Sequence, residues 1–291
     1  MYTLMGDFPR EDFLLGPFET DGALYALSPE YHVYTLVGLE ADFGRSYVHP
    51  TEDYEGIGFN HFAGDEFLTY SIPLWIEQNR RGADCGFDSP EFTKLLEMAG
   101  SMTKFSPDTL SVSVLTNHME LINTEKERGL ELWPVGFPGG SYISPIAAMG
   151  IHAATEEPEA AWEFIRWCIA ERENFMFTLN MPALEEKFYE LLHPHEDLDP
   201  EKVVIREDGT WDYEGRHYET LFSWEPSITE RQADMMLGLV KSLDTVIYCD
   251  AELVDLIRED AGAFLAGERS LGDTAALLGD RLGTYLAEKY G

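Results

Sequence analysis

The sequence predicts an α/β fold. Short alternating segments that suit strands are scattered among longer segments carrying an apolar stripe at helical spacing. The closing stretch is helical in at least three pieces, which places helices on the flanks of whatever sheet the strands build.

The first twenty residues are aromatic and punctuated by Pro and Gly, without clean periodicity. Asp21-Gly22 marks a turn, and DGALYALSPEYHVYTLVG (21–38) then predicts two short strands broken near Ser28-Pro29. Residues 39–65 are rich in Gly, Asp, His and Pro and read as loops. FLTYSIPLWIEQNRR (67–81) predicts a helix that Pro73 disturbs or opens. A second helix starts after Phe87, where Asp88 or Ser89 can cap and Pro90 suits the first turn. There Phe92, Leu95, Leu96 and Ala99 recur at helical spacing.

TLSVSVLT (109–116) alternates as a strand does, and LELWPVGFPGG reads as a strand ending in a glycine loop. IAAMGIHAA (146–154) is expected to be a buried strand. Thr155 is expected to cap the next helix, with acids favourable at its positive end and Trp162, Ile165 and Ile169 on its buried face. Residues 190–225 read as loops or a hairpin, turning at Asp208-Gly209 and near Gly215. The three closing helices are ITERQADMMLGLVKSL, AELVDLIREDAGAFLAG and LGDTAALLGDRLGTYLAEKY, with Gly267 at the C′ position of the middle one.

The 291-residue chain holds 20 basic and 54 acidic residues, a formal charge of −34. Such a surface repels phosphate backbones and anionic lipid, so nucleic acid is excluded as a partner. Three cysteines stand far apart, at Cys85, Cys168 and Cys249, which indicates neither a disulfide framework nor a zinc site. Cys168 is expected as a buried thiol. No apolar run approaches the roughly 20 residues of a membrane span, and MYTLMGDFPREDF has no basic n-region or apolar core of an export signal.

The order of the segments carries a resemblance. DGALYALSPEYHVYTLVG resembles the interlobe crossover of family 1 extracellular solute-binding proteins, the sugar-capturing components of ABC importers. CGFDSPEFTKLLEMA, GFPGG with ISPIAAMGIHAATEEPEAAWEFIRWCI, and LIREDAGAFLAGERSLGDTAALLGDRLGTYLAE resemble, in the same order, three later motifs of that family. The resemblance implies a type II periplasmic-binding-protein fold: a C-terminal lobe with a partial first lobe. It implies an N-terminal segment and crossover over 1–36, C-terminal-lobe segments over 37–145 and 186–291, and a remnant of the other lobe over 146–185.

The family carries a signal sequence, a lipid-anchor cysteine and over a hundred residues before this crossover, against twenty here. The resemblance therefore implies a shortened first lobe, an extracytoplasmic setting for the full-length family, and loss of the partner for residues near 146–185. Trp162, Phe164, Ile165 and Trp167 are then expected to be exposed, and a homo-oligomer or exchanged segments to cover them.

The implied partners are a carbohydrate ligand and ABC permease subunits, with no cofactor and no catalysis. Sugar clefts stack aromatic rings on pyranose faces and hold hydroxyls with polar side chains. The resemblance points to Tyr31 and Tyr34 in the crossover and to Phe137, Ser141 and Tyr142 in the glycine loop; Asn117 and Trp75 are further candidates. For each aromatic the competing role is core or hinge packing. Pro138-Gly139-Gly140 lacks the lysine and spacing of a phosphate loop. His193-Pro194-His195 with Glu196, Asp197 and Asp199 lacks metal-loop spacing. No GxSxG elbow is present, while 54 acids leave a glycosidase pair open. A truncated, self-associating relative without a transport role is the alternative reading.

Overall fold

The computed structural model describes residues 19–20, 23–24, 26–54, 64–81, 84–102, 111–115, 121–122, 124–125, 129–146, 148–171, 181–182, 188, 202–206, 210–218, 228–248 and 250–290. After the antiparallel pair β1 (Glu19–Thr20) and β2 (Ala23–Leu24) comes the strand that organises the fold, β3 (Glu30–Leu39). Its burial alternates over Glu30–Tyr34, as in a strand with one covered face, and becomes continuous over Thr35–Gly38, where both faces are covered. The expected break before it is present: Leu27 pairs with Met149, and the Ser28 hydroxyl donates to the Glu30 carbonyl.

The other four strands of the five-stranded main sheet all pair with β3. Along one edge run β4 (Ser111–Leu115) and β7 (Met181–Pro182); along the other run β5 (Leu132–Pro134) and β6 (Tyr142–Pro145), all antiparallel to it. The glycine loop joins β5 to β6 as the sequence predicts, and the 109–116 strand is present as β4. A separate three-stranded antiparallel sheet, β8 (Val203–Ile205), β9 (Trp211–Tyr213) and β10 (Arg216–Tyr218), turns at Glu214-Gly215, both at positive φ.

Against the main sheet lies a helical layer. The short α1 (Glu40–Phe43) follows β3, and Thr51–Tyr54 forms a 3-10 turn. Next come α2 (Gly64–Asn79) and α3 (Pro90–Ser101). Ser89 caps α3 by accepting from the Phe92 amide, with Pro90 at the first position. A Cβ at Gly64 would sit 2.2 Å from the Ala99 carbonyl oxygen, so only glycine lets α2 start this close to the end of α3.

Pro73 neither opens nor ends α2, which runs through it for a further turn and a half. Packing of Phe67, Leu68, Ile72, Leu74 and Ile76 into the core outweighs the one lost ladder bond. After α4 (Pro158–Arg166) come α5 (Glu230–Ser242), α6 (Ala251–Leu265) and α7 (Leu271–Tyr290), the three predicted closing helices. Gly267, at φ +75°, stands just past the Ala266 cap of α6, as expected of a C′ glycine.

Two expectations fail around α4. Residues 146–154 form no strand; Leu27–Met149 is an isolated bridge, and Ile146 and Gly150 are exposed. A small-residue apolar run has too little bulk to hold a place in a sheet. The helix begins at Pro158 with Glu157 before it, and Thr155 accepts from the Glu157 amide at 3.4 Å instead of capping the helix. Proline disfavours helical backbone in the residue preceding it, which moves the start two residues on.

The predicted buried face of α4 is present, with Trp162, Ile165 and Ile169 packed inside. This corrects the expectation that Trp162 and Ile165 are exposed. Phe164 and Trp167 are exposed, at 61% and 48%. Trp167–Glu171 continues the helix as a π-turn, where Cys168 is half-buried rather than fully buried. Buried apolar side chains from Leu27 to Leu286 form one connected core that includes Trp162, Ile165, Ile169 and Phe188.

Candidate functional site

The site grows from one cross-strand pair. Tyr34 of β3 stands opposite Tyr142 of β6, so their side chains leave the same face of the sheet. The two rings stack with centroids 4.9 Å apart and planes within 4°. Tyr70, reaching down from α2, lies 5.1 Å from Tyr34 at 44°.

The fourth tyrosine comes from the segment after α5, which is pinned to β6. There the Ile143 amide donates to the Thr245 carbonyl and the Ile247 amide to the Ile143 carbonyl. That pinning carries Tyr248 and Asp250 to the rim. Together with Thr69, Pro73, Ser144, Leu253 and Val254 they line a small cavity of about 40 Å³ that opens to solvent on one side.

The walls are chiefly aromatic carbon, and the polar groups converge at two places. Pro73 has no N–H to give the Thr69 carbonyl, so the helix ladder releases an acceptor where both residues line the cavity. Across from it, Asp250 Oδ1 caps α6 by accepting from the Leu253 amide. Its Oδ2 accepts from the Tyr285 hydroxyl at 2.6 Å and from Lys289 Nζ. Burial pushes this carboxyl upward, but the bonds from Lys289, Tyr285 and the Leu253 amide outweigh it and hold the group below the usual aspartate range. Partial burial raises the phenol of Tyr248, which is 56% exposed and forms the outer lip.

The sequence candidates divide among three environments. Tyr34 and Tyr142 meet in the cavity. Tyr31, Phe137 and Ser141 are buried beside it: Phe137 packs between Phe67 and Tyr142, and the Ser141 hydroxyl donates to Thr35 Oγ1 at 2.8 Å. Tyr31 points to the opposite face of β3, its hydroxyl without a hydrogen-bond partner among the described residues, and burial raises its phenol well above the ordinary value.

Trp75 lies elsewhere, donating from Nε1 to the Cys85 carbonyl, its ring tilted 51° to that of Phe92. It lines a second, larger and more open depression of about 370 Å³ with Gln78, Arg80, Arg81, Asp84 and Glu91. Asn117 and the His193–Asp199 segment lie outside the described residues. Sequence reasoning passed over Tyr70, Tyr248, Asp250 and the Thr69 carbonyl. The cap pattern Asp250-Ala251-Glu252 was legible, and so was Pro73, but neither signals a cavity. Among the described residues no cluster of His, Cys, Asp and Glu could hold a metal ion. None of their helices is long and apolar enough to cross a membrane.

Solved structures share this architecture. The cyclic alpha-maltosyl-1,6-maltose binding protein of Arthrobacter globiformis matches with a TM-score of 0.54 at 13% identity, over 98% of this chain and 79% of that one. A family 1 extracellular solute-binding protein of Alicyclobacillus acidocaldarius matches with a TM-score of 0.55 at 13% identity, over 98% and 78%. A de novo designed esterase improved by directed evolution matches with a TM-score of 0.55 at 11% identity, over 99% and 79%. No family model and no curated protein sequence matches the chain. The chain therefore has the type II periplasmic-binding-protein fold of family 1 solute-binding proteins, as its motif order implies.

Proposed function

We propose that this protein captures a carbohydrate, an oligosaccharide in particular, without catalysis, as the substrate-binding component of an ABC importer outside the cell membrane. The observation that carries the reading is the Tyr34–Tyr142–Tyr70–Tyr248 cavity with Asp250 at its rim. Aromatic faces suit the C–H faces of pyranose rings, while a carboxylate and a released carbonyl accept hydroxyl protons. Several proteins of this fold are saccharide binders by name, the cyclic maltosyl-maltose binder among them. The designed esterase is the reminder that the fold alone does not carry the absence of catalysis.

Calorimetry of the full chain against a panel of maltose, maltotriose, xylotriose and the blood group A trisaccharide tests the reading. Reversible heat with no release of product from aryl-glycosides is expected. Silence across the panel sinks the sugar assignment, and turnover sinks the non-catalytic one. A second reading, self-association without transport, is favoured by the exposed Phe164 and Trp167 rings, whose centroids lie 6.4 Å apart. A concentration-dependent mass by light scattering, abolished in Trp167→Ser, is its expected signature; a stable monomer counts against it.

A further inference from the structure

We infer that the C-terminal end of α7 supports the candidate site: Tyr285 and Lys289 are positioning residues that orient Asp250 as the acceptor for a ligand hydroxyl. The inference rests on the carbohydrate reading and assigns the recognition of one hydroxyl within it.

The argument is one of lone pairs. An ionised carboxylate offers about four acceptor sites. At Asp250 the Leu253 amide takes one on Oδ1, while Tyr285 and Lys289 take two on Oδ2. Among the described residues, one acceptor site remains on a group that lines the cavity. Lys289 also donates to the Tyr285 hydroxyl at 2.9 Å and lies 5.2 Å from the Tyr285 ring centre, so the three side chains lock one another. A carboxylate held from three directions cannot rotate to follow a ligand. It therefore selects a hydroxyl at one position relative to the stacked rings, which is how a preorganised site discriminates between sugars of equal size.

Charge points the same way. Asp250 stands in a chain of formal charge −34, and a carboxylate without a cation there would attract protons or loose cations. Lys289 neutralises it locally, so the cavity presents an acceptor without a net local charge, which suits a neutral polyol. The groups facing Asp250 are Tyr285 and Lys289 from α7, Tyr248 on its own segment, and the phenols of Tyr34, Tyr70 and Tyr142 across the cavity. Of these only Lys289 carries charge at neutral pH, so removing it is the clean perturbation. With Lys289 gone, the carboxyl titrates nearer its ordinary range, because the largest opposing influence on it is burial.

The test is calorimetric titration with the tightest binder of the saccharide panel, from pH 3.5 to 8, on wild type, Lys289→Met, Lys289→Arg, Tyr285→Phe and Asp250→Ala. In Lys289→Met the Kd is expected to rise roughly tenfold and the acid limb of the Kd profile to move to higher pH. Lys289→Arg is expected to restore both, and Tyr285→Phe to raise Kd severalfold without moving the acid limb as far. A merely structural role would lower Tm in Lys289→Met while leaving the limb in place. Wild type that binds while Lys289→Met keeps the same Kd and limb overturns this inference alone. An Asp250→Ala variant that binds as wild type does the same. Wild type that binds nothing overturns the inference together with the carbohydrate reading.

Discussion

Two aromatic clusters in this molecule differ in what surrounds them. Tyr34, Tyr142 and Tyr70 are fixed by a strand register and a buried helix, and Thr69 and Asp250 line the space they leave. Phe164 and Trp167 are rings of similar bulk, stacked on one helix face with no described acceptor between them. On the proposed reading the first arrangement recognises a small polar molecule and the second only packs. Ring content alone distinguishes nothing. What makes a binding site is rings held by elements that also deliver polar groups to the same space.

Substitutions can break that comparison, and Tyr142 carries the largest effect. It is 3% exposed and stacked, so Tyr142→Ala is expected to cost about 3–5 kcal/mol of stability in urea unfolding and to abolish binding with it. Tyr34 is only half-buried, so Tyr34→Ala should separate the two properties. Binding is expected to weaken by about one to two orders of magnitude, with a much smaller shift in Tm.

The carboxylate comes next. The folded-state value of Asp250 lies below its unfolded one. The stability it supplies is therefore present above about pH 4 and lost as pH falls through the folded-state value. A Tm gap of about 2 °C between wild type and Asp250→Asn at neutral pH is expected to close on acidification from pH 5 to 2. The smallest effect belongs to the second cluster. Phe164→Ser with Trp167→Ser is expected to change monomer stability by no more than about 0.5 kcal/mol and to leave saccharide binding untouched.

Much of the scaffold was legible in the chain. β3 announces itself through Tyr31, Val33, Leu36 and Val37, and α3 through Ser89-Pro90 before an apolar stripe. The closing helices follow their stripes, and Gly267 its cap role. Local pattern failed where local forces were weak. Residues 146–154 look like a strand by composition but offer too little bulk to hold one, and Pro158 overrode Thr155 as the helix start. Pro73 was read as disturbing or opening the helix; α2 starts well before it and continues past it because the core contacts on both sides come from distant residues.

The lining of the candidate cavity was legible only in part. Tyr34 and Tyr142 were reached through the motif resemblance, and their pairing follows from strand register. Tyr70, Tyr248 and Asp250 join them across long stretches of chain, by α2 packing on the sheet and residues 245–247 bonding to β6. No periodicity in a single segment encodes such a meeting. Asp250 in particular reads as a helix cap, and it is one; the second use of its carboxylate appears only once Tyr285 and Lys289 are seen on its other oxygen.

The central claim is that the tyrosine cavity, and not the exposed rings of α4, captures a saccharide. Side-by-side calorimetric titration of wild type, Tyr34→Ala and the Phe164→Ser/Trp167→Ser double variant with one saccharide tests it most directly. The account predicts matching affinities for wild type and the double variant, and loss of at least tenfold in Tyr34→Ala with its Tm nearly unchanged. Equal affinity in wild type and Tyr34→Ala, or loss confined to the double variant, would contradict it.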